Sequence, residues 1–234
     1  MKRRFNDDFW VDERGWLAMG LDAEKRQIDA LVSNAGHCLW TGILDDAHAE
    51  VVAGHLLSDD LFTGWGIRTL AASMAGYNPI SYHNGSVWPH DTAITVAGLM
   101  RYGYVDEALR VVEGLLAAGG FFAGRLPELF AGLSREEQPF TVSYPTSCSP
   151  QAWAAAAPLL VLRAILRLEP DAGEGVLHIA PALPAWLRNL RIDGIRVRDG
   201  LVSVEVSDHD QVTVTATPAD FVVVHEPRPG NTPD

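Results

Sequence analysis

The sequence predicts a mainly α-helical chain that ends in a small antiparallel β module. Three observations carry that reading. Apolar residues recur at helical spacing from about Leu21 to Leu168, broken by short polar or glycine-containing stretches. After Pro170 the apolar period switches to two. Between the helical stretches lie two long loops, 76–88 and 121–150, crowded with aromatic, proline and polar residues. Long loops on a helical scaffold often carry function.

The expected helices follow in order. Asp22 to Val32 spaces Ile28, Leu31 and Val32 on one face. Asp45 to Leu57 starts with Asp45 as a candidate N-cap. Ile67 to Met74 is shorter. Pro89 to Tyr102 places proline in the first turn, where a missing N–H costs least. Asp106 to Ala118 is expected to stop at the Gly119-Gly120 pair. Pro150 to Leu168 is rich in alanine and leucine. The repeated unit of helix plus loop suggests paired helices around a common axis. The β module is expected over 175–225, with Asp193-Gly194 and Asp199-Gly200 as turns. The expected division is 1–170, 171–225 and a flexible tail, 226–234.

Composition bounds the function. The 234 residues are 47% hydrophobic and 21% charged, an ordinary globular balance. The net charge of -12 argues against unaided binding to nucleic acid or to an anionic membrane. It fits a protein acting on a neutral ligand. Cys38 and Cys148 stand apart, with no CxxC spacing, and read as two reduced thiols. The basic start MKRRFNDDFW has no apolar stretch behind it, and no apolar run reaches the ~20 residues of a membrane span. A cytoplasmic location is the expectation. No nucleotide cradle, nucleophile elbow or zinc spacing occurs, so neither cofactor nor metal is implied.

Four constellations could carry chemistry. The densest is 77–91, YNPISYHNGSVWPHD, which combines aromatics with His83, Asn84, Trp88 and Asp91 just before a helix. Sugars call for such a mixture: ring faces stack on the C–H side of a pyranose, and polar groups bind its hydroxyls. The second is 125–130, RLPELF. Here Glu128 either pairs with Arg125 or, among Phe121, Phe122 and Phe130, has a raised pKa suited to acid–base work. The third, 143–153, sets Gln151 and Trp153 at the mouth of a helix. The fourth, 64–69, offers Trp65 for stacking and Arg68 for a hydroxyl or a carboxylate. Each also has a plain structural alternative. Polar residues at a helix start cap it, aromatics pack, Arg68 forms an ion pair, and Glu128 sits exposed at a helix N-terminus.

Taken together, GWGIRTL (64–70), YNPISYHNGSVWPHD (77–91), RLPELFAG (125–132) and YPTSCSPQAW (144–153) resemble, in this order, the C-terminal half of bacterial amylo-α-1,6-glucosidase-like, or glycogen-debranching-like, glycosidases. SNAGHCLWTGI (33–43) and LHIAPALPAWL (177–187) extend the resemblance over nearly the whole chain. It implies an (α/α)6 toroid with the sugar site at one mouth. The helices expected here amount to about half of it. It also implies inverting hydrolysis of α-glucosidic linkages, with Glu128 as general base. Relatives of the fold act on α-glucosides, trehalose and mannosylglycerate-like compounds. Trp65, Trp88 and Trp153 would form the sugar platform. Arg68, His83, Asn84, Asp91, Arg125 and Gln151 would bind hydroxyls or orient Glu128. The general acid in such enzymes comes from a segment earlier than any matched here. The expectation is therefore a fragment, acting on an oligosaccharide or α-glucan, that lacks the general acid. The alternative is a non-catalytic carbohydrate-binding chain, or one piece of a split enzyme that needs a companion N-terminal half.

Overall fold

A computed structural model of the chain describes residues 1–187 and 189–228. The chain forms two compact units, Met1–Val161 and a second that begins at Leu162. The first unit opens with α1 (Lys2–Phe9) and a short hairpin, β1 (Trp10–Val11) and β2 (Trp16–Leu17). It continues with α2 (Asn34–Thr41), α3 (Asp46–Leu56), α4 (Pro89–Arg101) and α5 (Val105–Phe121). The last helix, α6 (Ala152–Leu166), runs across the division.

Local chemistry explains the helices that the sequence announces. The Asp45 carboxylate accepts the His48 N–H at 3.0 Å and caps α3. Pro89 opens α4 at a position where no N–H is needed. Two helices, α1 and α2, have weaker local signals and add to the expected set. The second ends at Gly42, whose φ of 71° lets the chain leave the helix while its N–H satisfies the Leu39 carbonyl.

Three expectations change. Asp22 to Val32 is not helical, because the Asp22 carboxylate accepts the N–H groups of Glu24 and Arg26 and folds the backbone into a turn. Ile67 to Leu70 is extended instead, and Ala71 to Met74 closes a turn, with the Met74 N–H on the Ala71 carbonyl at 3.1 Å. Ile67 bridges Phe62, Arg68 bridges Val87, and Leu70 bridges Val32. A short apolar run cannot separate the two conformations by spacing alone. Finally, α5 continues through Gly119 and Gly120 to Phe121.

Helices α2 and α4 meet backbone to backbone. A β-carbon on Gly98 would lie 2.6 Å from the Trp40 nitrogen and 2.8 Å from the Gly36 carbonyl oxygen. One on Gly36 would strike Thr95. Only glycine allows this approach. It packs α2, from Gly36 to Trp40, against Thr95 and Gly98 in the middle and second half of α4.

The second unit holds β3 (Glu169–Asp171), β4 (Val176–His178), β5 (Leu190–Val197), β6 (Gly200–Val206), β7 (Val212–Ala216) and β8 (Val222–Val224). They form two three-stranded sheets rather than one. The order β5-β6-β7 is antiparallel, but β8 lies parallel to β4 in the order β3-β4-β8. Asp193-Gly194 is not a turn. It lies inside β5, where the register with β6 shifts between Ile192 and Ile195 and Gly194 adopts a φ of 75°. Alternation on β6 sends Val202, Val204 and Val206 into a core with Leu177, Ile179, Val197 and Phe221. Of the expected tail, 229–234 lies outside the described residues.

Among the described residues no helix is long and apolar enough to cross a membrane. Both cysteines are free.

Candidate active site

The site is assembled from the 77–91 loop, the 125–132 segment and the 142–153 segment, all in the first unit. Backbone pairing fixes the three. Val87 and Phe130 exchange two hydrogen bonds, at 2.9 and 3.0 Å, and Ala131 N–H reaches the Val142 carbonyl at 2.9 Å. Glu128 N–H donates to the Cys148 carbonyl at 3.0 Å. Leu129 and Phe130, both fully buried, anchor the segment that carries Glu128. A β-carbon on Gly132 would lie 1.7 Å from the Gly85 carbonyl oxygen, so the loop and the segment cross in contact.

The Glu128 carboxylate is only 7% exposed, and both of its oxygens are satisfied. The Tyr82 hydroxyl donates to Oε1 at 2.8 Å, and the Cys148 backbone N–H donates to Oε2 at 3.1 Å. The Cys148 N–H first, then the Tyr82 hydroxyl, hold the carboxyl below the usual carboxylate range, against the opposing effect of burial. The same bond pushes the Tyr82 hydroxyl up. All three sequence-based readings of Glu128 are thereby corrected, the exposed helix N-terminus included, since Glu128 is buried and no described helix begins there. The carboxyl is shifted down rather than up, because two donors stabilise its charge. Arg125 lies exposed, and no ion pair among the described residues links it to Glu128.

Tyr82 is held in turn. Its carbonyl accepts the Ser86 hydroxyl at 2.8 Å and the Trp88 indole N–H at 3.1 Å. Its ring meets Trp88 and Tyr144 edge-on, at centroid distances of 5.0 and 5.7 Å. Trp88 is buried and forms a wall. Trp153, 46% exposed, stacks on His90 at 4.4 Å and lies 6.1 Å from Trp88. Glu128, Tyr82, Trp88, His90 and Trp153 therefore form one continuous set. Burial pushes the His90 imidazole down, which favours its neutral form.

The other candidates are placed as follows. His83 and Asn84 are exposed at the loop tip, and His83 runs nearly parallel to Trp88 at 5.6 Å. The Gln151 side-chain oxygen accepts the Trp153 N–H at 2.8 Å and serves the start of α6. Asp91 is buried and is paired with His37. Trp65 is 2% exposed and packs with Val87, Ala118 and Phe130, so it offers no face to a ligand. Arg135 covers its ring at 4.4 Å. Arg68 donates from Nε to the Gly132 carbonyl at 2.8 Å and from Nη1 to the Asp59 carbonyl at 2.6 Å. It ties loops together instead of reaching Glu128. A mid-segment Trp or Arg reads the same in sequence whether it faces a cleft or the core. Tyr82, His37 and the Cys148 N–H carry no individual signal in the sequence. The first two lie in quoted motifs, and the third is a backbone group.

Among the described residues no group of three His, Cys, Asp or Glu side chains is placed to hold a metal ion. The arrangement offers a carboxylate whose charged form is favoured, beside an aromatic surface.

A family model for the mannosylglycerate hydrolase MGH1-like glycoside hydrolase domain matches residues 1–122, more than half of the 234. The chain belongs to that family. A second model, the C-terminal domain of glycosyl hydrolase family 65, matches residues 171–225. Solved structures agree at the level of fold. An uncharacterized conserved protein from Thermus thermophilus shares 17% identity at a TM-score of 0.53, over 67% of this chain and 36% of that one. The GH63 mannosylglycerate hydrolase from Thermus thermophilus in complex with glucose shares 16% at 0.52, over 67% and 37%. A sialidase shares 12% at 0.67, over 91% of this chain and 21% of that one. The chain thus spans about a third of the length of the two Thermus proteins. No curated protein matches it. The helices and small sheets fit part of a glycosidase helical domain followed by a β module.

Proposed function

We propose that this chain supplies the general-base half of an inverting glycosidase site that hydrolyses α-glycosidic linkages. The observation that carries the reading is the Glu128 carboxylate, buried yet held ionised by two donors at the edge of an aromatic surface. In an inverting mechanism one carboxylate takes a proton from the attacking water. A carboxylic acid on the opposite face of the sugar, roughly 6.5–9.5 Å away, gives a proton to the leaving oxygen. Glu128 would take the first role, and its lowered pKa keeps it able to accept over a wide pH range. Trp153, backed by Trp88, would stack on the sugar ring. The acid would come from a companion polypeptide, because Asp91 is committed to His37.

Two substrate classes are supported. The ordered motifs favour an α-glucosidic branch linkage of the debranching type. The family match and the mannosylglycerate hydrolase neighbours favour an α-mannosyl glycerate. The test is release of free sugar from branched dextrin and from mannosylglycerate, by the chain with and without the companion half. Glu128→Gln is expected to lower the rate by about 10²–10⁴. A rate within a few-fold of wild type would remove Glu128 from the reaction.

A further inference from the structure

The sequence offers Asp91 as a hydroxyl ligand, but its position gives it another task. It sits in the first turn of α4, where the helix dipole favours a carboxylate. Its side chain is buried beneath the His37 ring of α2, and His37 Nε2 lies 2.6 Å from Asp91 Oδ1. His37 itself is 41% exposed, against 12% for Asp91. The other carboxylate oxygen, Oδ2, is buried and has no hydrogen-bond partner among the described residues. A buried carboxylate oxygen left unpaired is costly and rare in a purely structural role. The pair is also fixed in place: the glycine contact between Gly36 and Gly98 brings α2 against α4 one residue before His37.

The pair lies next to the aromatic set around Glu128 through His90. Asp91 directly follows His90, which stacks on Trp153. His90 is within electrostatic reach of Asp91, His37 and Glu128 together.

The geometry points to His37 as a direct contact for a hydroxyl of the sugar ring, with Asp91 as its positioning residue. This rests on the glycosidase reading above. His37 Nε2 is engaged by Asp91 Oδ1, which leaves Nδ1 as the second polar atom of the ring. The half-exposed ring then offers Nδ1 in a fixed orientation. A sugar hydroxyl, which can both donate and accept, would bond to it. The ligand class is a neutral polyhydroxyl ring, which needs oriented polar groups and no counter-charge.

Glucose is the probe. The ¹⁵N-labelled chain is titrated with glucose while imidazole resonances and Trp fluorescence are followed, for wild type, His37→Ala, Asp91→Asn and Trp153→Ala. His37 ring signals are expected to move with glucose in wild type. His37→Ala is expected to weaken glucose binding about tenfold. Asp91→Asn should change the His37 tautomer signature before any sugar is added and weaken binding less than His37→Ala does. Circular dichroism checks that the buried Asp91 variant is folded, and the exposed His37 variant carries the test if it is not. If Trp153→Ala loses glucose while His37→Ala binds within twofold of wild type, this inference is overturned and the sugar site stands. If wild type shows no glucose-dependent signal, the inference is overturned too. Glu128→Gln hydrolysis then decides the wider reading separately.

Discussion

The Glu128 cradle and the Asp91–His37 corner both bury a carboxylate, and they treat it differently. Glu128 has a donor on each oxygen, one from a tyrosine and one from the backbone. Asp91 has one donor, an imidazole, and a second oxygen with none among the described residues. Full satisfaction stabilises the charged form of a carboxylate and fixes its position. Partial satisfaction makes it a brace for the group it does touch. One helical unit thus holds two buried carboxylates of different bonding, separated by what surrounds them rather than by what they are.

The comparison can be broken or sharpened by experiment, from the largest effect down. Glu128→Gln should lower hydrolysis by about 10²–10⁴, whereas Asp91→Asn, acting through His37, should cost less than about tenfold in sugar affinity. Steady-state kinetics with the companion half separate the two, and equal losses in both would erase the distinction. Next, Trp65→Ala should destabilise the fold by about 3–5 kcal/mol in denaturant titration. Glucose affinity of the folded fraction should stay unchanged, because this indole is in the core. Trp153→Ala should do the reverse. Its cost to stability should be small, since the ring is 46% exposed, and it should weaken glucose binding by about 0.5–1.5 kcal/mol in calorimetry.

The smallest effect is a shift in pH dependence. Tyr82→Phe removes one of the donors that depress the Glu128 pKa, so that pKa should rise. A base must be ionised, so the acid limb of the rate profile should move to higher pH. The linkage to stability has the matching sign. A depressed carboxyl contributes stability above its ordinary value of 4.5, lost as pH falls through the lowered folded value. Tyr82→Phe should shrink that acid-dependent part. Chemical denaturation below pH 5 measures it, and identical pH profiles for both proteins would show that the tyrosine does not tune the carboxylate.

Sequence reading succeeds where the signal is local. Asp45 caps α3 and Pro89 opens α4 because each acts on its own backbone within a turn. It fails where a side chain competes with the helix, as at Asp22, or where an apolar run is short, as at Ile67 to Met74. In the site, the Glu128 segment is legible through ordered motifs, and so is the aromatic character of 77–91. The inward placement of Trp65 and Arg68 is not, because burial is decided by contacts far along the chain, such as Arg68 to Gly132. The Cys148 N–H is not legible either, since every residue but proline has one.

The residue that holds Glu128 through its backbone also carries an exposed thiol. The other cysteine, Cys38, is half-buried, and burial pushes its thiol up to about 11. At neutral pH Cys38 therefore stays protonated and unreactive, since the thiolate is the nucleophile. A thiol-directed fluorophore or spin label would attach selectively at Cys148, the residue whose backbone N–H bonds the carboxylate. The wild-type chain thus comes with its own reporter position, and the arrival of a sugar or of a companion polypeptide can be watched there without introducing any new residue.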